Sequence, residues 1–278
     1  MSRFNIIEIS QAKQMHVQIF IDYLKQNEFD FQYSHFQDFR FEDLNPDYDL
    51  MLVNPTMSFQ IYPLLNMHTT DVRLTHCLDS FMPEKGKWYP RLFLFEALRE
   101  LIVERIRNID RRFGGYVIGD SDEVRIAAAV LVNVGLKQII LIGEDEQKCQ
   151  DHAQILKKKF LGIDFRVLPS HAITTTNLMG SLLVNTIDLQ LASQLATDLA
   201  YFNYLNPTGV IIDMHFANED GPLVKEAVKA GIQSHRCFEV YAYRDLQIMR
   251  HFFPKRYFDI DEYIIHTEKM IEKVFNES

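Results

Sequence analysis

The sequence predicts an α/β protein of two domains, one of them a Rossmann-like doubly wound parallel sheet. Three observations predict it. The chain has 278 residues, enough for two modest domains or one large one, each with its own core. Its 47% hydrophobic and 24% charged residues are the proportions of a folded globular chain, which sets it apart from disordered ones. Between residues 109 and 237 short apolar runs alternate with helix-length segments, the pattern of parallel strands joined by crossover helices.

In chain order, Phe4 to Ile9 alternates as a strand, and Ala12 to Leu24 has helical spacing through Met15, Ile19 and Tyr23. Strands follow at Phe29 to Phe36 and Leu50 to Val53, with a third apolar stretch at Val72 to Leu78. A loop holding Pro83, Gly86 and Pro90 leads to an amphipathic helix from Leu92 to Ile106. After the turn Arg111 to Gly115, strands are predicted at 116–118, 138–142, 164–168, 182–185 and 210–213. A helix from Glu123 to Val134 stops at Gly135, and another ends near Leu161 with Lys157, Lys158 and Lys159 in its last turn, where cations suit the helix dipole. From Phe238 onward the chain reads as helical.

Net charge is −9, which disfavours nucleic acid and anionic membrane as partners, because phosphate binding needs clustered Lys and Arg. Cys77, Cys149 and Cys237 lack CxxC or zinc spacing and read as buried thiols. With no basic-apolar leader and no apolar run near 18 residues, the expectation is a cytoplasmic protein without a membrane span. The histidines show no metal-ligand spacing, and no metal is expected.

Several segments together carry a likeness. Gly209 to Phe216, Pro222-Leu223 and Ala227 to Gly231 form a strand ending in Asp213, a short loop, a helix and an Ala-Gly turn. Asn185-Thr186 closes a strand, Ser10 to His16 follows the first strand, and Asn54 to Gln60 follows the third. In this order the segments resemble the shikimate dehydrogenase family. The resemblance implies a substrate domain of residues 1–108 completed by 238–278, and a Rossmann-like domain of residues 109–237. Substrate and cofactor would meet in the cleft between them. Ser10, His16, Asn54, Thr56, Gln60, His215, Tyr243 and Arg244 would be its candidates, with Glu239 beside them.

The chemistry departs from the family. Its proton-handling lysine maps to Gln60, a carboxamide that supplies no proton at neutral pH, and its aspartate maps to Pro90, with Trp88 at the asparagine. No residue is therefore assigned as catalytic. Of two substrate serines Ser10 remains and the other is Ala12; the substrate glutamine is Arg244, which with Ser10 would suit a carboxylate. The nucleotide motif Gly-x-Gly-Gly-x-x-Arg keeps only Gly119 and Arg125. Asp120, Asp122 and Glu123 stand where a dianion would dock; their ordinary reading, with Ser121, is capping of the following helix. Glu144 follows the next strand, where the family has an arginine for a 2′-phosphate; it reads as a surface acid or a partner for a ribose diol. Gly119, Ser121, Arg125, Glu144 and Asn185 are thus the candidate cofactor set: no cofactor is expected, and NAD if any. His215 beside Asp213 offers an acid–base pair or a plain strand-end histidine.

The leading expectation is a protein of this resemblance that has left the parent reaction. It would bind an anionic small molecule or a peptide in its cleft, or serve as an assembly partner in a biosynthetic pathway, as a possible homodimer. An active NAD(P)-dependent oxidoreductase with an altered substrate is the alternative. A structural oligomer subunit, using some of the 21 phenylalanines, is the third.

Overall fold

The computed structural model describes residues 3–37, 47–217 and 219–277. The chain forms two compact units, Met1–Leu94 with Arg244–Ser278, and Phe95–Tyr243.

The first unit is built on a five-stranded mixed sheet. Strand β1 (Phe4–Ile9) runs into helix α1 (Met15–Gln26), then β2 (Phe31–Phe36) and β3 (Leu50–Val53). Two short helices follow, α2 (Ser58–Ile61) and α3 (Thr70–Thr75), then β4 (Ser80–Glu84), β5 (Lys87–Arg91) and the start of α4 (Phe93–Arg105). The strand order is β2-β1-β3-β4-β5. Both neighbours of β1 are parallel to it, whereas β3–β4 and β4–β5 are antiparallel. The last helix, α10 (Ile260–Glu277), brings Tyr263 to 4.5 Å from Tyr23 of α1, ring to ring.

The apolar stretch Val72 to Leu78 holds the end of α3, at Thr75. One expectation fails in this unit. The segment with Pro83, Gly86 and Pro90 is not a loop but the β4–β5 hairpin. Its prolines are tolerated because Pro90 lies in the edge strand β5 and Pro83 lies beyond the residues that pair with β3.

The second unit alternates strand and helix: β6 (Gly114–Ile118), α5 (Glu123–Asn133), β7 (Gln138–Ile142), α6 (Glu146–Lys159) and β8 (Asp164–Val167). It continues with β9 (Gly180–Asn185), α7 (Ser193–Leu199), β10 (Leu205–Asp213), α8 (Pro222–Ala230) and β11 (Gln233–His235). All pairs are parallel, in the order β11-β10-β9-β6-β7-β8. This is the doubly wound arrangement, and the order reverses between β6 and β9, where such sheets open a crevice at their carboxyl ends. Tyr116, Ile140, Leu183 and Ile211 of the sheet share one core with Leu195 and Leu199 of α7 and Leu223 of α8. Burial on both faces makes these strands continuous apolar runs, which is why the sequence shows them. The polar edge strand β11 gave no such signal. Helix α9 (Cys237–Phe252) crosses from this unit into the first at Arg244.

Candidate functional site

In the first unit the site is organised from behind by Glu8, a fully buried carboxylate in β1. A buried charge needs donors, and it has three: Ser10 Oγ at 2.6 Å, the backbone N–H of Gln14 at 2.8 Å, and Tyr33 Oη at 2.5 Å. Gln14 is the N-cap of α1, so the carboxylate ties the loop after β1 to the helix that follows. Burial, reinforced by the bond to Glu8, pushes the Tyr33 hydroxyl well above its ordinary pKa. His35 Nε2 lies 3.0 Å from the Ser10 carbonyl and 3.2 Å from Ser10 Oγ. A carbonyl only accepts, so this nitrogen carries its proton.

The front of the same loop is open. Gln11 and Ala12 line a groove of about 670 Å³ with Gln37, Asn54, Thr56 and Gln60. Asn54 Oδ1 accepts from the Thr56 backbone at 3.0 Å and from Thr56 Oγ1 at 2.8 Å. Four carboxamides therefore face this groove, and none of its described lining residues is ionisable.

Ser10 and Arg244, expected to bind a ligand carboxylate together, each face a carboxylate of the protein. Ser10 is committed to Glu8, and Arg244, also buried, donates through Nε (2.9 Å) and Nη2 (2.6 Å) to Asp245 Oδ1. Asp245 Oδ2 in turn accepts from Tyr263 at 2.6 Å. His16 is buried in α1, where desolvation and the positive charge of Arg244 hold its pKa well down and keep it neutral. Asp79 escaped the sequence reading. It caps α4 by accepting from the backbone of Phe93 at 2.9 Å and Leu94 at 2.6 Å, and burial pushes it up to about 6 against those bonds. The signal for Glu8 and Asp79 was there: a lone acid inside an apolar strand or at its start is buried with partners or not tolerated.

In the second unit the loop after β6 is closed by its own side chains. Arg125 is buried, and its Nη1 lies 2.8 Å from Asp122 and 2.9 Å from His152 Nδ1. His152 Nε2 reaches the Asp120 carbonyl at 3.1 Å. The arginine must donate, so His152 accepts at Nδ1 and donates at Nε2 as the neutral ring, consistent with a pKa lowered by burial. Asp120 Oδ2 accepts the backbone N–H of Asp145 at 3.1 Å. The acids thus do not cap α5 as expected: the Asp122 side chain makes no cap bond and turns to Arg125 instead. Asp145 caps α6 through the N–H of Lys148. Ser121 Oγ is 3.4 Å from Glu123, whose carboxyl burial pushes up to about 7. Glu144 is exposed at the end of β7.

At the ends of β9 and β10, Asn185 Nδ2 donates to Asp213 Oδ1 at 2.9 Å and to the Ile187 carbonyl at 2.8 Å. Burial pushes Asp213 up to about 7. His215 reaches Asp213 only through its backbone N–H; its imidazole lies 3.9 Å from Asp188. The side-chain pairing expected between His215 and Asp213 is therefore not made. Tyr243 accepts from Arg105 Nε at 3.0 Å and donates to Glu104 at 2.8 Å, while Glu239 holds His235 at 2.9 Å. Among the described residues, no group of three or more His, Cys, Asp or Glu is arranged to hold a metal ion.

By sequence, no family model and no curated protein matches this chain. By structure it matches solved proteins over almost its whole length. The chorismate mutase/shikimate 5-dehydrogenase fusion protein from Clostridium acetobutylicum aligns with a TM-score of 0.76 at 11% identity, over 98% of this chain and 100% of that one. The fold is that of the shikimate dehydrogenases. Mycobacterium tuberculosis shikimate dehydrogenase gives 0.74 at 13% identity, over 97% and 99% of the two chains. The Thermus thermophilus shikimate 5-dehydrogenase, solved with NADP(H) and shikimate, gives 0.73 at 14%, over 97% and 100%. At such identities the likeness establishes the fold and leaves the chemistry to the residues.

Gln60 is exposed on the groove, and Pro90 is paired to Phe81 inside the hairpin. At the ends of β6 and β7 the glycines pack against the protein itself. A cradling glycine leaves room for ligand, yet a Cβ on Gly119 would meet Thr186 Oγ1 at 2.2 Å and Ile187 at 2.9 Å. A Cβ on Gly143 would meet the Gly119 carbonyl at 2.7 Å. The space beside both glycines is filled by the protein itself. No membrane-crossing helix occurs among the described residues.

Proposed function

We propose that this chain is a binding protein on the shikimate dehydrogenase fold, working without a nicotinamide dinucleotide and holding a small molecule in the groove of its first unit. One observation carries the reading: Asp122 and His152 enclose Arg125, the cation that follows β6, so a cofactor phosphate finds carboxylates in its place. The groove gives the other half. Its carboxamides both donate and accept, which suits a ligand carrying hydroxyl or amide groups rather than the anion expected from the sequence. Calorimetric titration with NAD, NADH, NADP and NADPH tests the reading. No heat of binding is expected for any of the four, and saturable micromolar binding of one would overturn it.

The second reading, an active oxidoreductase with an altered substrate, draws on the Thermus thermophilus complex with NADP(H) and on Glu144, exposed where a ribose diol would be held. It requires NAD binding that Glu144→Arg abolishes.

A further inference from the structure

We propose that the first unit carries a second small-molecule site, independent of the groove, for a free aromatic amino acid. The site is a pocket of about 360 Å³ at the other end of β1, a volume suited to a ligand of that size. Its wall is aromatic. The Phe4 ring lies 4.5 Å from Phe252 and 5.4 Å from Phe253, and Phe29 lies 4.6 Å from Phe253. Three of these rings, Phe29, Phe252 and Phe253, are only half-buried, so they present an unfilled face of the kind that stacks on another ring.

The charges of the lining divide into satisfied and available ones. Arg3 faces Asp30 at 3.7 Å, and Asp49 accepts the Asn5 backbone N–H at 2.8 Å. Glu28 and Arg256 remain, and among the described residues neither is in an ion pair. Arg256 is stacked on Phe29, with its guanidinium carbon 4.1 Å from the ring centroid. Stacking leaves the edge of the guanidinium free, and that edge binds a carboxylate in bidentate fashion.

Glu28 supplies the second argument. It ends α1 with a left-handed backbone, φ +56°, its own N–H bonded to Lys25 and that of Phe29 to Leu24. Glycine is the residue suited to that position, and a glutamate there sacrifices stability. Strain of this kind, retained in a pocket wall, points to use of the side chain, here to meet an ammonium group. An anion-binding fork, an ammonium-binding carboxylate and an aromatic wall together specify a zwitterion with an aromatic side chain. A residue within a peptide lacks both termini and does not satisfy the set.

Titration of the full chain with L-phenylalanine and L-tryptophan, followed by ligand-observed NMR, tests this. Saturable binding near or below about 1 mM is expected, with L-leucine and N-acetyl-phenylalanine amide each weaker by about tenfold or more. Glu28→Gly should raise the melting temperature, because glycine relieves the left-handed strain, and yet weaken binding about tenfold. Arg256→Met should weaken binding similarly with the melting temperature unchanged. Absence of saturable binding, equal binding of the neutral derivative, or undiminished binding in both variants would overturn the proposal.

Discussion

The loops that follow β1 and β6 make an instructive pair. Each leaves the carboxyl end of a parallel strand and enters a helix, and each contains polar groups that must be satisfied. After β1 they are satisfied from behind: Glu8, inside the strand, takes Ser10 and the Gln14 N–H, so Gln11 and Ala12 remain on an open groove. After β6 they are satisfied from within: Asp122 takes Arg125, and Asp120 takes the Asp145 N–H. The same topology yields an open site in one unit and a filled one in the other. What decides is whether the carboxylate sits in the strand or in the loop.

The largest break in this comparison should come from Glu8→Ala. Three donors would lose a fully buried acceptor, and urea unfolding should show a loss of about 4 kcal/mol. A loss under about 1 kcal/mol would mean that the loop after β1 is held by something else.

Asp122→Ala comes next, because it leaves Arg125 buried without its carboxylate, at a cost of about 3 kcal/mol by the same measurement. The interaction is local to the second unit, so the groove of the first should keep its ligand affinity.

The smallest effect sharpens the comparison through pH. Asp213, pushed up to about 7 by burial, binds its proton more tightly folded than unfolded. Its contribution to stability is therefore fully present below the unfolded value, near pH 4, and is lost as pH rises through about 7. Asp213→Asn keeps an acceptor for Asn185 and for the His215 N–H while removing the titration. Between about pH 5 and pH 8 the wild type should lose more stability than the variant, read by denaturant unfolding at both values. Parallel pH curves would show that Asp213 is ionised in the fold.

Residue types and spacing made much of the fold legible. The runs at Tyr116, Gln138 and Val210 read as strands because both faces are buried, and Met15, Ile19 and Tyr23 marked α1 by period. The β4–β5 hairpin was not legible, since prolines deny a strand unless its place at the sheet edge is known. Of the candidate residues, Asn54, Thr56 and Gln60 line one groove, being close in sequence between the end of β3 and α2. Ser10 and Arg244 read as partners for a ligand, but tertiary structure gave each a buried carboxylate first. The sequence by itself determined the two-domain α/β plan, because hydrophobic periodicity is a local property of the chain. Only the tertiary structure decided which polar groups face a ligand and which face one another. That choice depends on which buried charge lies within hydrogen-bonding distance, and residues far apart in the chain set it.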